Sequence, residues 1–103
     1  MSDLTLEKIT TTLSDKLHDK KPFGHSVKFV LSDLGTVVLD GTGDSYLVSN
    51  EDRDADVTLT LTSDTLHKMQ QGEMTGMDAF FQGLLSIEGD QSVALQLGEI
   101  LRL

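Results

Sequence analysis

Apolar and polar positions alternate along this chain with two periods, and the switch between them marks the elements. Leu6, Ile9, Leu13 and Leu17 are spaced by three, four and four, which places them on one face of an amphipathic helix. Lys20-Lys21-Pro22 ends that helix, because proline disfavours helical backbone at the residue before it. The period then drops to two. Val27, Phe29 and Leu31 alternate with Ser26, Lys28 and Ser32, and Thr36-Val37-Val38-Leu39 follows a turn at Leu34-Gly35. Asp40-Gly41-Thr42-Gly43-Asp44 supplies a second turn before a third strand at Tyr46-Leu47-Val48. Two short connections in a row predict an antiparallel meander.

Residues 50–56 read as a charged loop. Beyond it Val57, Leu59 and Leu61 alternate strictly with Thr58, Thr60 and Thr62, giving a strand with one apolar and one threonine face. Ser63 is placed to cap a helix from Asp64 to about Gln71 that stops at Gly72. Thr75 and Asp78 have capping-box spacing, so a second short helix is predicted to run to Gln82 before Gly83. Leu84 to Glu88 reads as a fifth strand. Asp90 caps a last helix carrying Val93, Ala94, Leu97, Ile100 and Leu101. Strands flanked by helices predict an α+β fold: a five-stranded, mainly antiparallel sheet with helices packed on one face.

Length and composition narrow the function. The 103 residues fit one domain spanning 1–103, with one modest core. Seventeen acidic against eight basic residues give a formal net charge of −9, which argues against nucleic acid as a partner. The same charge argues against strong attraction to anionic headgroups by the molecule as a whole. Aspartate, at 12, far exceeds glutamate, at 5; such an acidic surface fits an ordinary cytosolic protein or a high-salt habitat. Without cysteine there is neither a disulfide framework nor thiolate chemistry. The first residues lack the basic and apolar regions of a signal peptide, and Glu99-Ile100-Leu101-Arg102-Leu103 is no peroxisomal address. A cytoplasmic monomer or weak dimer is the expectation.

Chemistry-bearing motifs are few. The Asp40–Asp44 segment lacks the ligand spacing of an EF-hand and the Gly-Lys-Ser/Thr of a phosphate loop, so it reads as a hairpin turn. Glu51, Asp52, Asp54 and Asp56 read as a solvated loop. His18, His25 and His67 fall in separate segments with no second ligand at metal spacing. No nucleophile elbow appears, and no carboxylate pair sits in an apolar stretch that would raise a pKa. No catalytic activity, metal or cofactor is expected. Lys16, Lys20, Lys21 and Lys28 form a basic cluster beside the first helix that could steer transient membrane contact.

One region is unusually rich in apolar side chains. Leu66, Met69, Met74, Met77, Phe80, Phe81, Leu84, Leu85 and Ile87 precede the stripe of the last helix. Methionine adapts to irregular volumes and suits unselective apolar sites. Phe80 and Phe81 point ~100° apart on a helix, so one is expected to face the sheet and the other a pocket or covering element. Periodicity alone does not separate a filled core from a lined cavity.

Val48-Ser49-Asn50-Glu51-Asp52, Ala55-Asp56-Val57-Thr58, Ala79-Phe80-Phe81-Gln82-Gly83, Ile87-Glu88-Gly89-Asp90 and Ala94-Leu95 with Leu97 together resemble the sterol carrier protein 2 family. The likeness covers roughly residues 24 to 101. It implies an apolar tunnel between sheet and helices that accepts fatty acids, fatty acyl-CoA, phospholipid or sterol with little selectivity. Carried onto this chain, the family's tunnel positions are Phe80, Phe81, Ile87, Ala94 and Leu97. The apolar pattern adds Leu66, Met69, Met77, Leu84, Val93 and Leu101. The chain departs from the family in three places. Leu84-Leu85-Ser86 stands where the family usually has Lys-Leu-Lys, Gln91 where it commonly has methionine, and Gly98 where it often has glutamine. The first leaves any headgroup or coenzyme A contact unassigned. The last weakens the helix by ~1 kcal/mol relative to alanine and opens space along the wall. Non-catalytic binding and transfer of apolar lipid is therefore the expected function. The alternative is a scaffold of the same fold with a filled core, supporting enzymes that act on lipid-like substrates.

Overall fold

The computed structural model describes residues 5–101. Helix α1 (Leu6–Leu17) is followed by strands β1 (Ser26–Leu31), β2 (Gly35–Asp40), β3 (Leu47–Ser49) and β4 (Val57–Leu61). Helices α2 (Ser63–Gln70) and α3 (Gly76–Phe81), strand β5 (Ser86–Gly89) and helix α4 (Gln91–Leu101) complete the order. The five strands form one sheet in the order β3-β2-β1-β4-β5. All pairs are antiparallel except β1 with β4, which run parallel with Val27 opposite Val57 and Leu31 opposite Leu61. The sheet is mixed and mostly antiparallel. Its one parallel pair requires the chain to cross from the β3 edge over β2 and β1.

That crossing is the 50–56 loop, and it runs over the face opposite the helices. Lys28 and Asp40 alternate with the core residues Val27, Phe29 and Leu39, so their side chains point away from the core. Lys28 Nζ meets Asp52 at 3.0 Å and Arg53 meets Asp40 at 3.1 Å, pinning the loop to that face. Lys28 is thereby taken out of the basic cluster expected beside α1.

The core lies on the helical face. Val27, Phe29, Leu31, Val37, Leu39, Val57, Leu59 and Leu61 from the sheet meet Ile9, Leu13 and Leu17 of α1, Leu66 and Met69 of α2, Ala79 of α3, and Val93, Leu97 and Leu101 of α4. Helix α1 packs on β2 and β3, whereas α4 packs on β4 and β5. Caps follow the local chemistry. Thr5 accepts from Lys8 N to start α1. Thr75 and Asp78 exchange side-chain and backbone bonds in a capping box at α3.

Several boundaries differ from expectation: β3 is Leu47–Ser49 and not 46–48, α3 ends at Phe81 with Gln82 as its cap, and α2 and β5 begin elsewhere than predicted. The cap of α2 is Thr62, which accepts from Thr65 N, and not Ser63. Ser63 lies inside the first turn, buried, with its N–H and hydroxyl both donated to Asp33. Those two bonds hold the Asp33 carboxyl below the usual carboxylate range. Strand β5 is Ser86–Gly89 and not 84–88, because Leu84 N and Leu85 N both donate to Ala79 O in the turn that closes α3.

Gly89 fixes the corner from β5 into α4. Its φ is +107°, and a Cβ there would stand 2.5 Å from Asp56 O. Only glycine accepts both conditions. The backbone approach lets Asp90 N donate to Asp56 O, hanging the start of α4 on the head of β4.

Candidate functional site

Helix periodicity groups the side chains near β4 and β5 into stripes, and packing on the sheet decides which stripe is buried. On α4, Val93, Leu97 and Leu101 recur every four residues and face the core. Gln91, Ala94, Leu95 and Gly98 form a second stripe beside the first, and it faces outward over the sheet edge. On α3 the core position is Ala79, fully buried, so the bulkier neighbours Met77, Phe80 and Phe81 are turned away from the sheet. Between these two surfaces lies an open cleft of about 580 Å³. That volume falls within the roughly 300–1,000 Å³ of small-molecule sites.

The floor of the cleft is Leu59 of β4, Ile87 of β5 and Leu85 in the turn between α3 and β5. One wall is Thr75, Gly76, Met77, Phe80 and Phe81, and the other is Gln91, Ala94, Leu95, Gly98 and Glu99. Phe80 and Phe81 stand edge to face with centroids 5.9 Å apart, a favourable aromatic arrangement. Phe81 is 77 % exposed, Leu95 63 % and Met77 60 %, so the apolar wall continues out to the rim. A Cβ at Gly98 would meet no atom within 4 Å; the missing side chain is open space in the wall.

Of the eleven residues expected at a lipid site, five meet here: Met77, Phe80, Phe81, Ile87 and Ala94. Leu66, Met69, Val93, Leu97 and Leu101 are packed in the core instead, each at most 4 % exposed. They belong to the same buried cluster as Leu59, Leu61 and Phe29 of the sheet. Leu84 is half exposed but stands outside the lining. Both phenylalanines line the cleft, Phe81 the more exposed of the two, while Ala79 is the buried position of α3. Leu59, Thr75, Gly76, Leu85, Gln91, Leu95, Gly98 and Glu99 also line the cleft and were not among the expected site residues. The available signal was Leu95, an apolar residue off the Val93–Leu97–Leu101 stripe, with Gly98 one turn further on.

A second cleft, of about 510 Å³, lies at the far end of the molecule between the end of α1 and the β2–β3 turn. Its wall mixes Lys20 and Lys21 with Asp19 and Asp44 and offers little apolar surface. Burial pushes the phenol of Tyr46, which lines it, upward. Among the described residues no group of three or more histidines, cysteines or carboxylates is arranged to hold a metal ion. No described helix is long and apolar enough to cross a membrane.

The model of the SCP-2 sterol transfer family matches residues 6–102. The chain belongs to that family. Over 55 residues it is 36 % identical to sterol carrier protein 2 of Bos taurus, a stretch that is 53 % of this chain and 10 % of that protein. The chain thus matches about a tenth of the length of the curated relatives. The solution structure of the sterol carrier protein domain 2 of Helicoverpa armigera superposes with a TM-score of 0.77 at 20 % identity, covering 99 % of this chain and 93 % of that one. The sec-alkylsulfatase Pisa1 from Pseudomonas sp. contains a similar unit: TM-score 0.72, 26 % identity, 97 % of this chain and 16 % of that one. A unit similar to this chain therefore also occurs as one part of a sulfatase chain.

Proposed function

We propose that this domain binds a single apolar lipid chain in the α3–α4 cleft and carries it without chemical change. The observation that carries the reading is the cleft itself: its apolar floor and walls are continuous with an exposed apolar rim, while the rest of the sheet face is filled. Membership of a sterol transfer family supports the same reading. Each methylene removed from water contributes ~0.8 kcal/mol, so a long alkyl chain binds well with few polar contacts and with weak selectivity for its shape. On this reading the lipid-holding space is the α3–α4 cleft, which is open on one side. Membrane contact through α1 would rest on lysines such as Lys16, Lys20 and Lys21, since Ile9, Leu13 and Leu17 are committed to the core.

Titration of delipidated protein with a neutral fluorescent alkyl probe tests the reading. Saturable binding at micromolar protein, displaced by unlabelled alkyl lipid, is expected; its absence removes the proposal. A second reading, an accessory domain to a lipid-modifying enzyme, is favoured by the sulfatase likeness. Native mass spectrometry separates the two: co-purified lipid supports the carrier, and a lipid-free chain in a stable complex supports the accessory domain.

A further inference from the structure

The polar part of the cleft has one sign of charge. Among the described residues its lining holds three polar side chains, Thr75, Gln91 and Glu99, and no lysine, arginine or histidine. Two helices begin at the cleft, and a bare helix start would attract an anion through its free N–H groups. Both starts already carry a carboxylate. Asp78 accepts from Thr75 N at 3.3 Å, and Asp90 accepts from Ser92 N at 3.0 Å and from the Ser92 hydroxyl at 2.6 Å. The Ser92 bonds hold the Asp90 carboxyl below its ordinary range. An anionic head seated beside Glu99 would therefore meet its carboxylate with no lysine, arginine or histidine among the described lining residues to offset it, and the two helix starts, occupied by Asp78 and Asp90, offer no free anion site. The whole chain, at −9, adds repulsion of the same sign. Gln91 offers a different handle: its exposed amide both donates and accepts, which matches a hydroxyl or an ester carbonyl.

We infer that the cleft selects lipids with an uncharged head, such as a long-chain alcohol or ester, over fatty carboxylates and acyl phosphates. This rests on the carrier reading and specifies its ligand class. Selectivity arises from charge at the rim, while the alkyl chain supplies the affinity.

Displacement of the neutral fluorescent probe by dodecanol and by dodecanoate, each below its aggregation limit, tests the inference in the native chain and in Glu99→Lys. Glu99 is exposed, so the variant is compatible with folding, and its thermal transition checks this. Dodecanol is also the more apolar of the two, so its preference alone does not prove a charge effect. The deciding quantity is the ratio of the two affinities. The native chain is expected to favour the alcohol, and Glu99→Lys is expected to shift the ratio toward the acid by about fivefold or more. A native chain that binds dodecanoate as tightly as dodecanol overturns the inference, as does an unchanged ratio in Glu99→Lys. If neither competitor nor probe binds, the carrier reading fails and the inference falls with it; binding without charge selectivity leaves the carrier reading standing.

Discussion

The two halves of one sheet face meet their helices in opposite ways. Over β2 and β3, α1 turns a single stripe downward, and Ile9, Leu13 and Leu17 vanish into the core at 3 % exposure or less. Over β4 and β5, α4 divides its apolar residues between two stripes, and α3 gives the sheet only the methyl group of Ala79. The first half is sealed because the apolar stripe of its helix, Ile9, Leu13 and Leu17, is buried against the sheet. The second half stays open because the large side chains aim past it, at one another, with Gly98 leaving their wall thin. A binding cleft here needs no special motif; it follows from moving bulk off the core stripe.

Substitutions that treat the halves unequally sharpen this contrast. Leu13→Ala in the sealed half should cost about 3–4 kcal/mol, since a fully buried leucine leaves a cavity. Phe81→Ser in the open half should cost less than about 0.5 kcal/mol while weakening probe binding. Urea denaturation of the pair, beside the native chain, measures both. Similar costs would erase the distinction between the halves. Gly89→Ala should follow at about 2–3 kcal/mol, because its Cβ meets the Asp56 carbonyl at positive φ. Here binding should fall with stability, since the corner that hangs α4 over the cleft is displaced. Gly98→Ala should act in the other direction, raising stability by about 1 kcal/mol, because the new methyl group enters open space.

The smallest effect concerns the joint between the halves, where Asp33 holds the start of α2. Its carboxyl is lowered in the folded chain by the Ser63 bonds, so its contribution to stability is present above the unfolded value near ~4 and lost as pH falls through the lower folded value. Urea midpoints of the native chain and Asp33→Asn should differ at pH 7 and converge in acid. A difference that persists at low pH would show that Asp33 acts through packing and not through its charge.

Element order was legible in the sequence because short-range patterns encode it. Val57, Leu59 and Leu61 between threonines could hardly be anything but a half-buried strand, and Thr75 with Asp78 marked the start of α3 unaided. The shift of the α2 cap from Ser63 to Thr62 was not legible. It depends on Asp33, thirty residues away, drawing Ser63 inward. The parallel pairing of β1 with β4 depends likewise on the long crossing pinned by Lys28 and Arg53. The site was half legible for a geometric reason. Periodicity groups Val93 with Leu97 and Leu101, and Ala94 with Gly98, but it does not say which group meets the sheet. Leu66 and Met69 belong to an apolar-rich segment and were expected at the site on that ground, yet both are buried in the core. Phe80 and Phe81 lie in the cleft together because Ala79 beside them takes the one direction that faces the core.

The central claim is that the open half of the sheet face is a ligand site and not an imperfectly packed core. Gly98→Leu tests it most directly, since the added side chain would fill the thin wall from within. Titration of the neutral alkyl probe into the native chain and into Gly98→Leu, with the stability of each measured by urea denaturation, should give saturable binding to the first. The variant should bind at least about tenfold more weakly, with stability unchanged or higher. Undiminished binding by a folded Gly98→Leu chain would contradict the account.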